Sequence, residues 1–377
     1  MNKVPIKLFD SNLNFVANLS AYESLTFTRS HRGIGDFELK MSYGAPYADI
    51  IRKDMFIEVD DRTDVIGIVE YKQYTEDGDG DGMFTIKGME AKGIFERRLI
   101  FPTAGYSYNV EIGQASTIMQ NYVKESAGSD AAVSRRFPFL IVDEVTQGAN
   151  LRRQARYKNL ATELEEIATA DSSGWRLYRD GKNLRFKYVK GINRVSSQSV
   201  NPSVIFSDQF DNLEETDYIE DFSSYKNVAV IAGEGAGVNR VVYEENLGTF
   251  AGLERREYFV DARDIQSENV PSGELESTLR ARAREKLEEV APIQTFENGI
   301  ISGTFGAFRY LEDWDLGDVV TALNTKVGLT ADAQITMVHE SYTGEGFKID
   351  VEIGEPIRGV KKALEIRTSR LDGELYR

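Results

Sequence analysis

Acidic residues at regular spacing are the first place to look for chemistry. Residues 75–84 read TEDGDGDGMF, with Asp77, Asp79 and Asp81 alternating with Gly78, Gly80 and Gly82. An EF-hand calcium loop takes oxygens from positions 1, 3 and 5, needs Gly at 6 and closes with a bidentate Glu at 12. Counted from Asp77, the early positions fit, but the closing position is Gly88, which has no side chain to coordinate with. The flanks VIGIVEYKQY and MFTIKG are β-branched and aromatic, where a calcium loop needs helices. The stretch reads as the acidic tip of a β-hairpin, with weak calcium binding as the alternative.

A second carboxylate cluster, EDWDLGD, offers Glu312, Asp313, Asp315 and Asp318. Glycoside hydrolysis needs two carboxyl groups in split environments at a defined separation. A turn of charged, solvated residues explains the same stretch more simply. GEGAG at 233–237 resembles a nucleotide loop, but the third glycine of G-x-G-x-x-G falls on Val238 and VNRVVYEE follows as strand rather than helix. It reads as a hairpin turn. His31, beside Arg32, reads as solvent-exposed, and His339 as a residue of an alternating strand. Trp175 and Trp314 read as core or interface anchors. No catalytic, cofactor-binding or metal-binding residue is nominated, and no cofactor is expected.

Composition narrows the classes further. The chain has no cysteine and two histidines, which excludes disulfides and thiolate zinc sites and leaves little material for a histidine triad. A net charge of −16 repels nucleic-acid phosphates and anionic lipid. The N-terminus MNKVPIKLFDSN has no apolar run of signal-peptide length, and no segment approaches a membrane span, so no passage across a membrane by the usual route is expected. At 377 residues, more than one domain is expected.

These residues must be carried by mostly β elements. SLTFTRS, DFELKMS, DMFIEVD and VIGIVEYKQY are short β-rich runs, and MEAKGIFERRLI reads as a helical turn. NVEIGQASTIMQNYVKES places Ile112, Ala115, Met119, Tyr122 and Val123 on one helical face, with Asn109 as N-cap. NLATELEEIATA predicts a second helix capped by Asn159, and GWRLYRDGKNLRFKYVK a hairpin around Asp180-Gly181 with Leu184, Phe186 and Tyr188 on one face. KNVAVIAGEG is a strand. SGELESTLRARAREKLEEVAP is the longest helix, with Ser272 as cap, Glu274 and Glu276 at its N-terminal end and its Arg and Lys run as a solvated face.

Two stretches echo each other. DMFIEVDDRTDVIGIVEYKQYTEDGDGDGMFTIKG and DVVTALNTKVGLTADAQITMVHESYTGEGFKIDVEIG each open on Asp (54, 318), reach Tyr-Thr (74–75, 342–343), turn through acidic and glycine residues, and end on Gly (88, 354). The expected fold is α+β, mainly β, with two similar β-barrel-like domains, an α+β domain between them and a helical insertion in the second barrel. The expected boundaries are 1–105 for the first barrel, 106–200 for the α+β domain, 201–235 with 293–357 for the second barrel, 236–292 for the insertion and 358–377 for a C-terminal tail.

This order resembles the tail hub proteins of long-tailed bacteriophages, also called tail-associated or baseplate hub proteins. GIGDFELKM resembles the family's early G-x-F-x-L strand, SSYKNVAVIAGEG its S-x-Y-x-N-hydrophobic signature, and WDLGDVV followed by ITMVHESY its late L-G-D-x-V and I-x-x-V-x-E pattern. The resemblance implies a non-enzymatic virion protein at the tail tip, assembled in the host cytoplasm. It further implies a homotrimer that joins the tail tube and distal tail proteins to tail fibre or tip proteins, with DNA touching it only in transit through a channel. Two barrels per chain in three chains present six docking surfaces to a six-fold tube. Many relatives continue into fibres or wall-cutting domains, which are expected elsewhere here. The alternative is a phage-associated peptidoglycan or polysaccharide hydrolase using paired carboxylates.

Overall fold

In an extended strand successive side chains point to opposite faces; residues 24–30 and 36–42 alternate buried with more exposed positions, whereas 56–59 and 66–69 bury both faces. The computed structural model describes residues 4–76, 82–207, 209, 217–270, 273–301, 308–326, 328–344 and 346–354. The acidic tip at 77–81, Ser272 and the tail from 355 onward lie outside the described residues. The chain forms two compact units: residues 1–216 with 298–351, and residues 217–297 with 352–377.

The first unit begins with β1 (Ile6–Phe9), β2 (Phe15–Leu19), β3 (Ser24–Ser30), β4 (Asp36–Ser42), β5 (Phe56–Val59), β6 (Ile66–Glu76) and β7 (Gly82–Glu90). A 3-10 turn at Ala91–Arg97 and β8 (Leu99–Ile100) lead to β9 (Asn109–Gln114) and α1 (Ala115–Ser126). Then come β10 (Leu140–Val142), β11 (Asn150–Ala155), β12 (Lys158–Asn159), α2 (Leu160–Asp171), the hairpin β13 (Gly174–Asp180) and β14 (Asn183–Val189), and β15 (Ile205–Ser207). In the second unit lie β16 (Asp217–Asp221), β17 (Val228–Ala232), β18 (Val242–Asn246), β19 (Glu257–Asp261), α3 (Leu275–Glu288) and most of β20 (Ile293–Ile301). The chain returns to the first unit for β21 (Val319–Asn324), β22 (Leu329–Thr343) and most of β23 (Gly346–Gly354).

Within the first unit the hydrogen-bonded order runs β23-β22-β3-β4-β7-β6-β5-β1-β2, with β21 also on β22 and β15 on β21. Strands from the two ends of the sequence therefore share one sheet: Met337 to Tyr342 of β22 pair antiparallel with Ser30 to Leu25 of β3. One face carries Leu8, Leu25, Phe27, Leu39, Ile57, Val69 and Ile86. Phe9, Phe56, Ile66 and Ile68 instead join a core with Ile118, Tyr122, Leu164, Trp175 and Phe186 of the α+β segment. This apolar burial, about 25 cal/mol per Å2, runs across the residue-105 boundary and fuses the early sheet to the helices behind it.

Helix α2 starts as the sequence predicts. The Asn159 side chain accepts from the backbone N–H of Ala161 at 2.9 Å, satisfying one of the helix's orphan donors. Helix α1 does not start where expected. Asn109 is a strand residue, because 109–114 pair antiparallel with 150–155, and the helix opens only at Ala115. Ile112 is accordingly exposed rather than on the helix's buried face.

The second unit is a small sheet in the order β18-β17-β19, packed on α3. Ala229, Ile231, Val260, Leu279, Ala283 and Leu287 form its core. Residues 233–241 connect antiparallel β17 and β18, so GEGAG lies in a hairpin connection as expected, but a 3-10 turn at Gly237–Asn239 delays the following strand to Val242. β17, read from sequence with the second barrel, hydrogen-bonds β18 and β19 and so shares a core with the residues of the expected insertion. The helix's cations face acids: Arg280 and Arg284 both reach Glu245 of β18. Among the described residues no helix is long and apolar enough to cross a membrane.

The two echoing stretches form matching elements. β5-β6-β7 and β21-β22-β23 are both three-stranded meanders of hydrogen-bonded neighbours. At the second hairpin of each, tyrosine meets phenylalanine: Tyr74 and Phe84 at 5.4 Å, Tyr342 and Phe347 at 4.8 Å between ring centroids. The next residue, Thr75 or Thr343, turns its hydroxyl to a carbonyl across the hairpin, at Met83 or Gly346, each at 3.5 Å.

Candidate functional site

The densest polar chemistry of the first unit lies where β3, the α+β hairpin and the late strands meet. Strand alternation puts it there. Leu25, Phe27 and Arg29 occupy the inward phase of β3, and Val338, Glu340 and Tyr342 that of β22. A charged residue in the apolar phase must be paired, since isolated charge in a low-dielectric interior is costly. Arg29 is 1% exposed. Its guanidinium donates to Asp64 at 2.6 Å, to Asp315 at 3.1 Å and to the Tyr310 hydroxyl. Arg62 donates to Glu340 through both terminal nitrogens and to the Tyr342 hydroxyl at 2.7 Å. The Tyr310 and Tyr342 hydroxyls donate to Glu340 at 2.7 and 2.6 Å.

The α+β hairpin closes the third side. Arg176 of β13 donates to Asp315 at 3.1 Å and to the Leu316 carbonyl at 2.7 Å, and stands 3.5 Å from Asp64. Three guanidinium groups, of Arg29, Arg62 and Arg176, thus face three carboxylates, of Asp64, Asp315 and Glu340. Beside them Arg179 grips buried Glu58 with two hydrogen bonds, at 2.6 and 3.0 Å. Asp318 accepts from the Ile192 N–H and from Arg194, both at 2.8 Å, and so fixes the segment leaving the hairpin.

The acidic cluster of 312–318 is therefore not one solvated turn. Glu312 and Asp313 pair with Arg309 near the surface, while Asp315 and Asp318 turn inward to different arginines. The turn must supply counter-charges to Arg29 and Arg194, and that demand overrides solubility.

His31 is the second correction. It is wholly buried, not exposed. Its N–H donates to the Thr336 carbonyl at 2.9 Å and its carbonyl accepts from Trp175 N–H at 3.2 Å. A Cβ on Gly174 or Gly317 would fall within 2.6 Å of the ring, so the imidazole is sandwiched between two backbones. Neither ring nitrogen has a hydrogen-bond partner. Burial, together with Arg176, Lys92 and Arg32, holds its pKa well below the ordinary histidine value. Lys92, also buried, donates to the Ser30 carbonyl and lies 3.4 Å from Glu90; burial lowers its pKa against the pull of Glu90. His339 is half-buried, with Nδ1 3.1 Å from the Thr28 hydroxyl. Trp175 and Trp314 are both core residues.

The electrostatics suit an ionic clamp. Burial works to raise the carboxyls of Asp315 and Glu340, but Arg29 with Arg176, and Arg62 with Arg29, outweigh it and hold both below the ordinary range. Both therefore stay ionised, whereas a general acid must hold a proton near neutrality. Glu111 of β9 shifts the other way, raised by burial and by Glu125 despite a hydrogen bond from Asn121. Among the described residues no three side chains of His, Asp or Glu converge to hold a metal ion.

Sequence reasoning missed Arg29, Arg62, Asp64, Arg176, Tyr310 and Glu340. The signal available was the phase of Arg29 and Glu340 within their alternating strands.

Comparison with known proteins sets this geometry in context. Residues 5–355 match the family described as Siphovirus ReqiPepy6 Gp37-like protein. No curated protein sequence matches. Among solved structures, the chain is similar to the prophage MuSo2 43 kDa tail protein from Shewanella oneidensis, at 14% identity and TM-score 0.57, covering 93% of this chain and 98% of that one. It is similar to a tail protein from Neisseria meningitidis MC58, at 13% identity and TM-score 0.55, over 94% and 97% of the two chains. It is also similar to prophage tail protein gp18 from Listeria monocytogenes EGD-e, at 12% identity and TM-score 0.54, over 98% and 99%. At such identities the likeness is one of fold.

Proposed function

The chain belongs to the Siphovirus ReqiPepy6 Gp37-like protein family, and from that premise we propose that it is a structural protein of a phage tail, a homotrimeric hub at the tail tip. In this reading it joins the six-fold tail tube and distal tail proteins to fibre or tip proteins and encloses the channel through which DNA leaves. The two barrel-like docking domains take residues 1–105 and 201–227 with 293–357, since β17 packs with the residues of the insertion. Residues 106–200 and an insertion that takes in β17, 228–292, stand outside the ring, and 358–377 are proposed as a tail. Assembly takes place in the host cytoplasm.

The observation that carries the reading is the pair of matching meanders, with Tyr74–Phe84 and Tyr342–Phe347 at the same place in each. Two like surfaces per chain let three chains meet six partners. The ionic junction supports it: a part that transmits load between neighbours needs its segments locked, and Arg29, Arg62 and Arg176 tie early, middle and late segments together. A net charge of −16 suits a channel that must not grip phosphates.

Electron microscopy of the assembled particle tests this. Three copies in a closed ring at the tail tip are expected; two or six copies, or a position away from the tip, overturn it. The alternative is a wall hydrolase, favoured by one observation, the raised carboxyl of Glu111 near Glu125. Incubation with peptidoglycan discriminates: the hub reading expects no released reducing ends or stem peptides.

A further inference from the structure

Strand β17 of the second unit reads Val-Ala-Val-Ile-Ala, apolar at every position, and it pairs parallel with β19. Parallel strands are normally covered on both faces, and a strand so covered is apolar throughout rather than alternating. One face of this sheet has its cover: Ala229, Ile231 and Val260 pack on Leu279, Ala283 and Leu287 of α3. By alternation Val228, Val230 and Ala232 of β17, Val242 and Glu244 of β18, and Glu257, Phe259 and Asp261 of β19 lie on the other face. There the ends of β17 are shielded, since Val228 and Ala232 are buried, but the middle is open. Phe259 stands beside Val230 and Val242 beside Ala232, and Phe259 and Val242 are 51% and 52% exposed.

Charged groups rim this apolar strip. Glu244 lies opposite Val230 on β18, and Glu257 and Asp261 flank Phe259 along β19. A single guanidinium, of Arg255, is shared between Glu244 and Glu257, while Asp261 holds Arg240 and Arg263. Residues 217–297 as a whole carry seventeen acidic and nine basic side chains. One segment of the chain has the complementary character. Residues 358–377, which lie outside the described residues, reverse the chain's charge, with six basic side chains against Glu365, Asp372 and Glu374. They follow β23, whose last residues, 352–354, belong to the second unit. At 3.6 residues per turn Val360, Ala363, Leu364, Leu371 and Leu375 share one side, and Arg367 falls among them. An apolar stripe with a cation inside it fits an apolar strip bordered by carboxylates, because a desolvated cation needs a counter-charge.

We propose that residues 358–377 dock as an amphipathic helix on the Val230–Val242–Phe259 strip of their own chain, so that the β17 sheet lies between this helix and α3. Arg367 meets the Glu244 and Glu257 side of the strip, where two carboxylates share one guanidinium. Tethering selects the segment's own copy, because a short linker holds it at a high effective concentration beside the strip. The inference concerns a single chain and is independent of the hub reading.

Disulfide trapping in the full chain tests this, and the chain has no cysteine of its own to interfere. Val242→Cys with Leu364→Cys is expected to crosslink within one chain at least about tenfold faster than Val238→Cys with Leu364→Cys, whose first site is fully exposed but off the strip. Equal rates in the two pairs overturn the proposal. A crosslink between chains assigns the strip to the tail of a second copy and overturns it as well. A second measurement needs no disulfide geometry. Phe259→Asp charges an exposed site, so circular dichroism is expected to be unchanged, while trypsin cleavage after Lys361, Lys362 and Arg367 speeds up at least about tenfold as the segment is released. Cleavage in the wild-type chain as fast as in Phe259→Asp overturns the docking.

Discussion

Arg62 and Glu340, 278 positions apart in the chain, face each other through paired hydrogen bonds, with one guanidinium nitrogen 2.9 Å from the carboxylate. The Glu340 side chain is fully buried, so the pair stands where an unpaired charge is least tolerable. Glu340→Ala leaves the Arg62 and Arg29 charges undercompensated and is expected to cost about 3–5 kcal/mol. Replacing both partners by apolar residues, Arg62→Met with Glu340→Met, is expected to cost less than the single change. Denaturant unfolding of the three variants measures this, and a double variant weaker than Glu340→Ala removes the clamp argument.

Acid should loosen the same junction in two stages. His31 is neutral and unpartnered in the fold, with Arg176, Lys92, Arg32 and Asp315 about it. Its folded pKa lies below the ordinary value of about 6.5, so below that pH the unfolded chain binds the extra proton. Stability is therefore full above about pH 6.5 and declines below it, with a slope of at most about 1.4 kcal/mol per pH unit for one proton. Asp315 and Glu340, held below their ordinary values, add a second loss as pH falls through about 4 and below. Unfolding free energies from pH 8 to 4, with His31→Leu as comparison, check the first stage. A His31 ring that titrates normally by NMR in the native protein contradicts it.

Gly317 allows the His31 sandwich. Its φ is +96°, and a Cβ there would lie 2.3 Å from the His31 ring. Gly317→Ala is expected to cost about 1–3 kcal/mol through overpacking, with backbone strain in addition. A thermal melt that matches wild type places the ring elsewhere.

Chelation should leave the fold intact. The candidate calcium loop from Asp77 has Gly88 where a bidentate Glu is required. Melting temperature with calcium and with chelator is expected to agree, and a large drop on chelation restores the calcium reading.

What was legible in the sequence depended on the range of the forces involved. SLTFTRS and DFELKMS became β3 and β4 residue for residue, and Asn159 capped α2, because alternation and capping act within a few positions. The start of α1 was not legible: Ile112 suits a helical face, and only pairing with distant Arg152 makes it a strand residue. The ionic junction was hidden for the same reason. Arg29 carries no sequence-local sign of its partners, Asp64 and Asp315, which arrive from other segments, and His31 looks polar and solvated until Gly174 and Gly317 close over it.

The twin meanders carry the most exacting expectation. Residues 54–88 and 318–354 repeat an order of Asp, strand, Tyr-Thr, turn and terminal Gly, and the Tyr-Phe and Thr-carbonyl contacts recur with it. Docking three chains on six equivalent partners requires the two copies to be related by a rotation of about 60° about a common axis. Interfaces must then alternate, one within a chain and the next between chains, which requires apolar residues on both flanks of each copy. Superposition of the two stretches in an assembled particle should give that rotation. An unrelated arrangement, or an axis that does not coincide with the tail axis, leaves the duplication as a feature of the chain without a role in docking.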